Sequence, residues 1–201
     1  MTPKHLALAI LPFALLACSG DNTVTYGGQT YKTVKIGKQV WFAENLNYDA
    51  EGSVCYDNDP ANCAKYGRLY NWETAKKVCP DGWHLPSGEE WDKLFRFVDG
   101  DKSTESPYKS ETAGKYLKAK SGWNKYGNGT DKYGFLALPG GFSLQGGGFF
   151  GDVGDYSDWW SANEDDSDYA YNRYMDYGSD GAYWNTNRKS YYLFSVRCLQ
   201  D

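Results

Sequence analysis

The spacing of hydrophobic positions changes along this chain, and each change predicts a different element. A charged opening, Met1 to His5, runs into an apolar stretch from Leu6 to Ala17, which stops at Cys18 before Ser19, Gly20, Asp21 and Asn22. Gln29 to Asn45 has the pattern of a hairpin. Thr30 to Ile36 is rich in β-branched and aromatic residues, Gly37-Lys38 is a glycine-first two-residue turn, and Gln39 to Ala43 returns, with Val34, Ile36, Val40 and Phe42 directed inward. Trp72, Ala75 and Cys79 are spaced three and four apart and predict a helix over Tyr70 to Cys79, closed by Pro80. Ser87 and Glu90 form a capping box for a second helix, Trp91, Leu94, Phe95 and Val98 line its apolar face, and Gly100 ends it. A third helix is predicted over about Thr112 to Lys120.

After Trp123 the helical period is lost. Glycine-rich turns separate short aromatic runs at Phe135 to Leu138, Gly146 to Gly151, Tyr156 to Ser161, Tyr169 to Tyr177, Ala182 to Asn185 and Tyr191 to Leu199. A hairpin, two to three helices and then a loop-rich antiparallel sheet make an α+β domain, and the length suits a single one.

The apolar stretch is too short to span a membrane and has the form of a secretory leader. Leu15-Leu16-Ala17-Cys18 resembles the lipobox of bacterial lipoproteins. That resemblance implies cleavage after Ala17, acylation of Cys18, attachment to a membrane through the acyl chains, and, from Ser19, sorting to an outer membrane. The expected organisation is a signal peptide over 1–17, a polar tether over 18–25 and one domain over 26–201.

Charge and composition narrow the function. There are 21 Lys and Arg against 26 Asp and Glu, and losing Lys4 with the leader leaves an excess of six acids, which argues against nucleic acid as a partner. The chain carries 18 Tyr, 8 Trp and 9 Phe against 2 Met, so aromatic rings must fill much of the core and also reach the surface. Rigid amphipathic rings beside Asn, Asp and Gly suit sugar or protein ligands.

With Cys18 assigned to lipid, Cys55, Cys63, Cys79 and Cys198 remain, an even set in an oxidising compartment. Three pairings are possible. Cys55 with Cys63 and Cys79 with Cys198 is preferred, because the first closes a short Asp/Asn/Pro loop and the second ties an early helix to the final strand. No Cys-x-x-Cys exists and His84 is the only histidine beyond the leader, which argues against zinc.

Two groups of residues are candidate sites. Asp155, Asp158, Glu164, Asp165, Asp166 and Asp168, beside Trp159 and Trp160, could supply oxygen ligands to calcium, although EF-hand spacing is absent and a solvated acidic loop is the better account of them. Trp160, Tyr171, Arg173, Tyr183, Trp184, Asn185, Asn187 and Arg188 could form one ligand face, with rings stacking on a sugar or peptide and Arg and Asn orienting it; alternatively Trp160 and Trp184 belong to the core, Trp160 above all. A single histidine without a thiol or serine partner is a weak acid/base signal, so no catalytic residue is assigned. Asn128-Gly129-Thr130 reads as a turn.

Asn71 to Cys79, Asp81-Gly82-Trp83-His84-Leu85-Pro86, Leu138-Pro139-Gly140-Gly141, Trp159-Trp160-Ser161-Ala162 and Ser195-Val196-Arg197-Cys198 together resemble the Fibrobacter succinogenes major paralogous domain over about Thr25 to Leu199. The family is found in exported and surface proteins, and the resemblance implies no particular chemistry. More remotely these motifs resemble the C-type-lectin-like fold and its formylglycine-generating relatives, which implies a helix cysteine bonded to one in the last strand, as Cys79 and Cys198 would be. Trp184-Asn185-Thr186 stands near the lectin Trp-Asn-Asp, but Thr186 replaces the carboxylate, which puts the family calcium and sugar site in doubt. Three functions follow as expectations. The first is a surface-anchored module for carbohydrate or a surface protein, the second a structural or assembly lipoprotein without a small ligand, and the third, with least support, an enzyme of the formylglycine-generating type.

Overall fold

The computed structural model describes residues 22–100 and 109–201. The expected leader, the lipobox-like segment and Cys18 lie outside the described residues. Among these residues no helix is long and apolar enough to cross a membrane.

The predicted hairpin forms as β2 (Gln29–Ile36) and β3 (Gln39–Phe42), in antiparallel register from Thr33 opposite Phe42 to Ile36 opposite Gln39. Gly37 takes φ +62°, which a first turn position of this kind requires and which a side chain would strain. Thr23 to Thr25, expected in the tether, instead belong to β1 (Thr23–Tyr26), paired along β2. With β14 (Leu199–Gln200) and β6 (Trp83–His84) they complete a five-stranded sheet in the order β1-β2-β3-β14-β6.

The second sheet runs β4 (Ser53–Val54), β5 (Leu69–Tyr70), β13 (Tyr192–Ser195), β10 (Tyr156–Glu164), β11 (Tyr169–Asp176), β12 (Ala182–Arg188) and β7 (Lys109–Ser110). A side ribbon of β8 (Phe142–Leu144) and β9 (Phe149–Gly151) pairs to β13. The run from Phe135 to Leu138 is not a strand, though Ala137 makes one bridge to Lys118. The carbonyls of Phe135 and Leu136, which a ladder would use, accept instead from the Arg197 guanidinium.

Helices follow their caps. α3 (Gly88–Asp99) is closed by the Ser87–Glu90 capping box and Gly100, and it buries Trp91, Leu94, Phe95 and Val98 as the pattern predicts. α4 (Ala113–Leu117) is a shorter version of the third predicted helix. A helix the pattern does not show, α1 (Pro60–Tyr66), begins within the loop between Cys55 and Cys63 and runs past Cys63, started by the Asp59 side chain and by proline in its first turn. The helix predicted over Tyr70 to Cys79 contracts to α2 (Trp72–Ala75), because Tyr70 is taken into the sheet opposite Ser53 and Phe194, and Asn71 caps from there.

Consecutive tryptophans on β10 divide the interior, since neighbouring strand residues point to opposite faces. Trp159 enters one core with Trp41, Trp91 and Phe135, and Trp160 enters the other with Trp72, Tyr70 and Phe194. Between the cores, Arg197 is fully buried. It donates to Asn45 Oδ1 through Nε and Nη2 at 3.1 and 2.8 Å and to the Phe42 carbonyl, and it lies 4.3 Å from the Phe135 ring centroid. Asn45 Oδ1 also accepts from Trp159 Nε1 at 2.9 Å, so one amide joins β10 to the end of the first hairpin. The disulfides are Cys55–Cys63 and Cys79–Cys198, the preferred pairing.

Candidate functional site

The register of β11 and β12 decides which candidate residues meet. Arg173 lies opposite Trp184 and Tyr171 opposite Thr186, so Tyr171, Arg173 and Trp184 share a face. The Tyr171 and Trp184 rings touch across the diagonal at 5.2 Å and 64°. The first turn of α3 crosses this face. Arg173 Nη2 donates to the Gly88 carbonyl and to Asp92 Oδ1, both at 3.0 Å, while Asn163 Oδ1 accepts from the Gly88 amide at 2.7 Å. A Cβ at Gly88 would come within 2.9 Å of Arg173 Nη2, so glycine lets the helix approach this closely.

The result is an open cleft of about 480 Å³ lined by Gly88, Glu89, Asp92, Asn163, Glu164, Tyr171, Arg173 and Trp184. Arg173 is buried; burial lowers its pKa and Asp92 opposes the shift, so its charge is neutralised locally. The cleft is therefore lined by two aromatic side chains, an amide and three carboxylates, each of them paired with a cation. Aromatic and hydrogen-bonding side chains set together in a depression are the chemistry of a small-ligand site.

The other predicted ligand residues are not gathered here. Trp160 is fully buried and donates from Nε1 to the Tyr70 carbonyl at 2.8 Å, which removes it from any surface site. Tyr183, Asn185 and Asn187 fall on the opposite face of the sheet, because each is one residue out of step with Trp184 or Thr186. There Tyr183 packs on Tyr174 at 5.3 Å, and Asn187 Nδ2 donates to Asn172 Oδ1 at 3.0 Å. Arg188 is on the cleft side but lies over Tyr169 at 5.7 Å. Gly88, Glu89, Asp92 and Asn163 were not singled out from the sequence; the capping box marked the helix start but not the strand it docks on.

The six acidic candidates are dispersed rather than gathered. Asp155 accepts from Asn124 and Asp165 from the Tyr171 hydroxyl; Asp166 accepts from the amides of Asp168 and Tyr169, and Asp168 borders a separate depression. Glu164 faces Lys189 at 3.4 Å. Asp158 is buried beneath the sheet, where Asn172 Nδ2 donates to it at 2.8 Å; burial pushes its pKa up to about 7, Asn172 opposes the shift, and Asp152 adds to it. Among the described residues no group of three or more His, Cys, Asp or Glu is placed to hold a metal ion.

The profile of the Fibrobacter succinogenes major domain matches residues 34–200. The chain belongs to this family. No curated protein and no solved structure matches it. In this Fibrobacter succinogenes major domain the matched span runs from within β2 to β14 and contains both disulfides and every residue of the cleft.

His84, inside one of the motifs, is engaged structurally. Its Nδ1 is 2.6 Å from Asp201 and its Nε2 3.1 Å from Glu90, which joins the last residue described to the α3 capping box.

Proposed function

We propose that the protein is an exported, lipid-anchored binding module whose cleft takes carbohydrate. The observation that carries this is the meeting of Trp184 and Tyr171, edge to face, over a floor of Arg173, Asn163 and carboxylates in an open depression. The rings supply contact area at small entropic cost, and the polar groups supply direction. The Cys79–Cys198 bond, which the lectin-like resemblance implied, and an even cysteine set suited to an oxidising compartment support the same reading.

The test is a glycan and polysaccharide array on the protein with its disulfides formed, run with calcium and with chelator. Binding lost in Trp184→Ala is the expected result, and binding that chelation abolishes would restore a metal to the site. Absence of glycan binding under both conditions would overturn the carbohydrate reading. Anchoring is tested separately, since Cys18→Ser should end incorporation of labelled fatty acid.

A second reading, a structural lipoprotein without a small ligand, is favoured by one observation: Trp159 and Trp160 are both wholly buried, so the most conspicuous aromatic motif belongs to the core. Full stability together with silence on every glycan and protein screened would select it.

A further inference from the structure

We propose that a second recess, between the first hairpin, α1 and the Leu136–Leu138 segment, binds a free α-amino acid with an apolar side chain. It shares no lining residue with the Trp184 cleft and is independent of the carbohydrate reading. The recess holds about 260 Å³. That is below the range of about 300–1,000 Å³ typical of pockets for drug-sized ligands, and it suits a molecule of amino-acid size.

The walls come from separate parts of the chain, and each is fixed before any ligand arrives. Gln29 Nε2 donates to the Asn47 carbonyl at 3.2 Å and Asn47 Nδ2 to Gln29 Oε1 at 3.3 Å, while the Asn47 amide donates to the Tyr31 hydroxyl at 3.2 Å. α1 forms the second wall. The bond to Cys55 holds it at Cys63, and at its end the Tyr66 carbonyl accepts from Asn45 Nδ2 at 2.9 Å. Gly67 permits that approach, since a Cβ there would stand 2.7 Å from Asn45 Cβ. The third wall is Leu136, at φ +52°, a conformation that leucine rarely takes. It is held there by Asp131 Oδ1, which accepts from its amide, and by Arg197, which donates to its carbonyl. Walls already ordered lose little freedom when a ligand enters.

Two opposite charges border the recess without meeting. Glu44 is half-buried and Lys65 exposed, and they form no ion pair with each other or with any other of the described residues. Lys65 Nζ lies 4.6 Å from the Tyr66 ring centroid, on the α1 side. The five N–H groups of Arg197 are all taken by oxygens of Phe42, Asn45, Phe135 and Leu136, so Arg197 acts on Glu44 only through its field. Asn47 Oδ1 and the Tyr31 hydroxyl hydrogen also have no partner among the described residues. A zwitterion answers both ends: its ammonium meets Glu44 and the Asn47 amide oxygen, and its carboxylate meets Lys65. Its side chain then lies on Leu136 and Leu138.

The experiment titrates the disulfide-bonded protein with L-leucine, leucinamide and N-acetyl-leucine by calorimetry. Leucinamide lacks the carboxylate and N-acetyl-leucine the ammonium, so each should bind at least about tenfold more weakly than L-leucine, the scale of one charge-assisted hydrogen bond. Glu44→Gln should weaken L-leucine about tenfold. Because Glu44 also offsets the burial of Arg197, a second variant reads the site without touching the core. Lys65→Glu, an exposed change, should leave the melting temperature unaltered, lose L-leucine about tenfold and bind leucinamide better than L-leucine. Trp184→Ala should leave L-leucine affinity unchanged. Equal affinity for the three compounds, or Lys65→Glu with the wild-type order of preference, would overturn the proposal. So would loss of L-leucine in Trp184→Ala, which would move the amino acid to the cleft, or no heat from L-leucine up to about 10 mM.

Discussion

Asp158 is the residue whose burial has the clearest consequence. Its folded pKa, about 7, is above the ordinary value of 3.8, so the folded chain keeps a proton that the unfolded chain has already released. Stability from this group is therefore greatest at about pH 4 and is lost as pH rises towards 7. Asp158→Asn keeps the oxygen that accepts from Asn172 and removes the charge, so it should raise the melting temperature at pH 8 and change it little at pH 4. Thermal unfolding at the two pH values checks this; equal shifts at both would contradict it. For His84, burial alone would lower the pKa, but Asp201 and Glu90 outweigh it and the net shift is upward. Its contribution is complete below 6.5 and is lost as pH rises through the higher folded value. Arg197 has four carbonyl or amide oxygens turned to it, and burial lowers its pKa to about 9, still above neutral pH. Arg197→Ala leaves those acceptors unpaired in the core and should cost about 3–5 kcal/mol in denaturant unfolding.

At the scale of elements, caps and cross-links hold the cleft in place. Ser87 starts α3, and its partner Glu90 also holds His84. Ser87→Ala should cost about 1 kcal/mol, as a lost N-cap does, and should weaken ligand binding because the first turn of α3 forms one wall of the cleft. Calorimetry on the variant reads both effects. The two disulfides close very different loops, with sequence separations of 8 and 119. In the chain-entropy model, replacing Cys79 and Cys198 with serine should cost about 4–5 kcal/mol, and replacing Cys55 and Cys63 about 2–3 kcal/mol. Comparable losses in urea unfolding would contradict that order.

For the whole molecule, Trp159 and Trp160 send consecutive side chains into separate cores, so β10 ties the two halves of the domain together. Arg197, Asn45 and Trp159 form one hydrogen-bonded chain between the first hairpin, β10 and the β13–β14 connection. Two cores joined through buried polar bonds should unfold as one unit, so fluorescence and circular dichroism should report the same midpoint in urea. Separate midpoints would show the cores to be independent.

Local chemistry, present in the sequence, determined the first hairpin, α3 and the α+β order of elements. Gly37, the Ser87–Glu90 box and the 3.6-residue stripe from Trp91 to Val98 act between neighbours in the chain and need no distant contact. Tertiary structure decided the rest. It drew Tyr70 into a sheet and shortened α2, turned the Phe135 and Leu136 carbonyls towards Arg197, and buried Trp160. It also split the eight candidate ligand residues, since in a strand a shift of one residue reverses the face and only the register of β11 with β12 says which side meets α3. The cleft came from that docking: Gly88, Asp92 and Asn163 reach Tyr171, Arg173 and Trp184 only when a helix start is packed against a distant strand, a contact that no local pattern encodes.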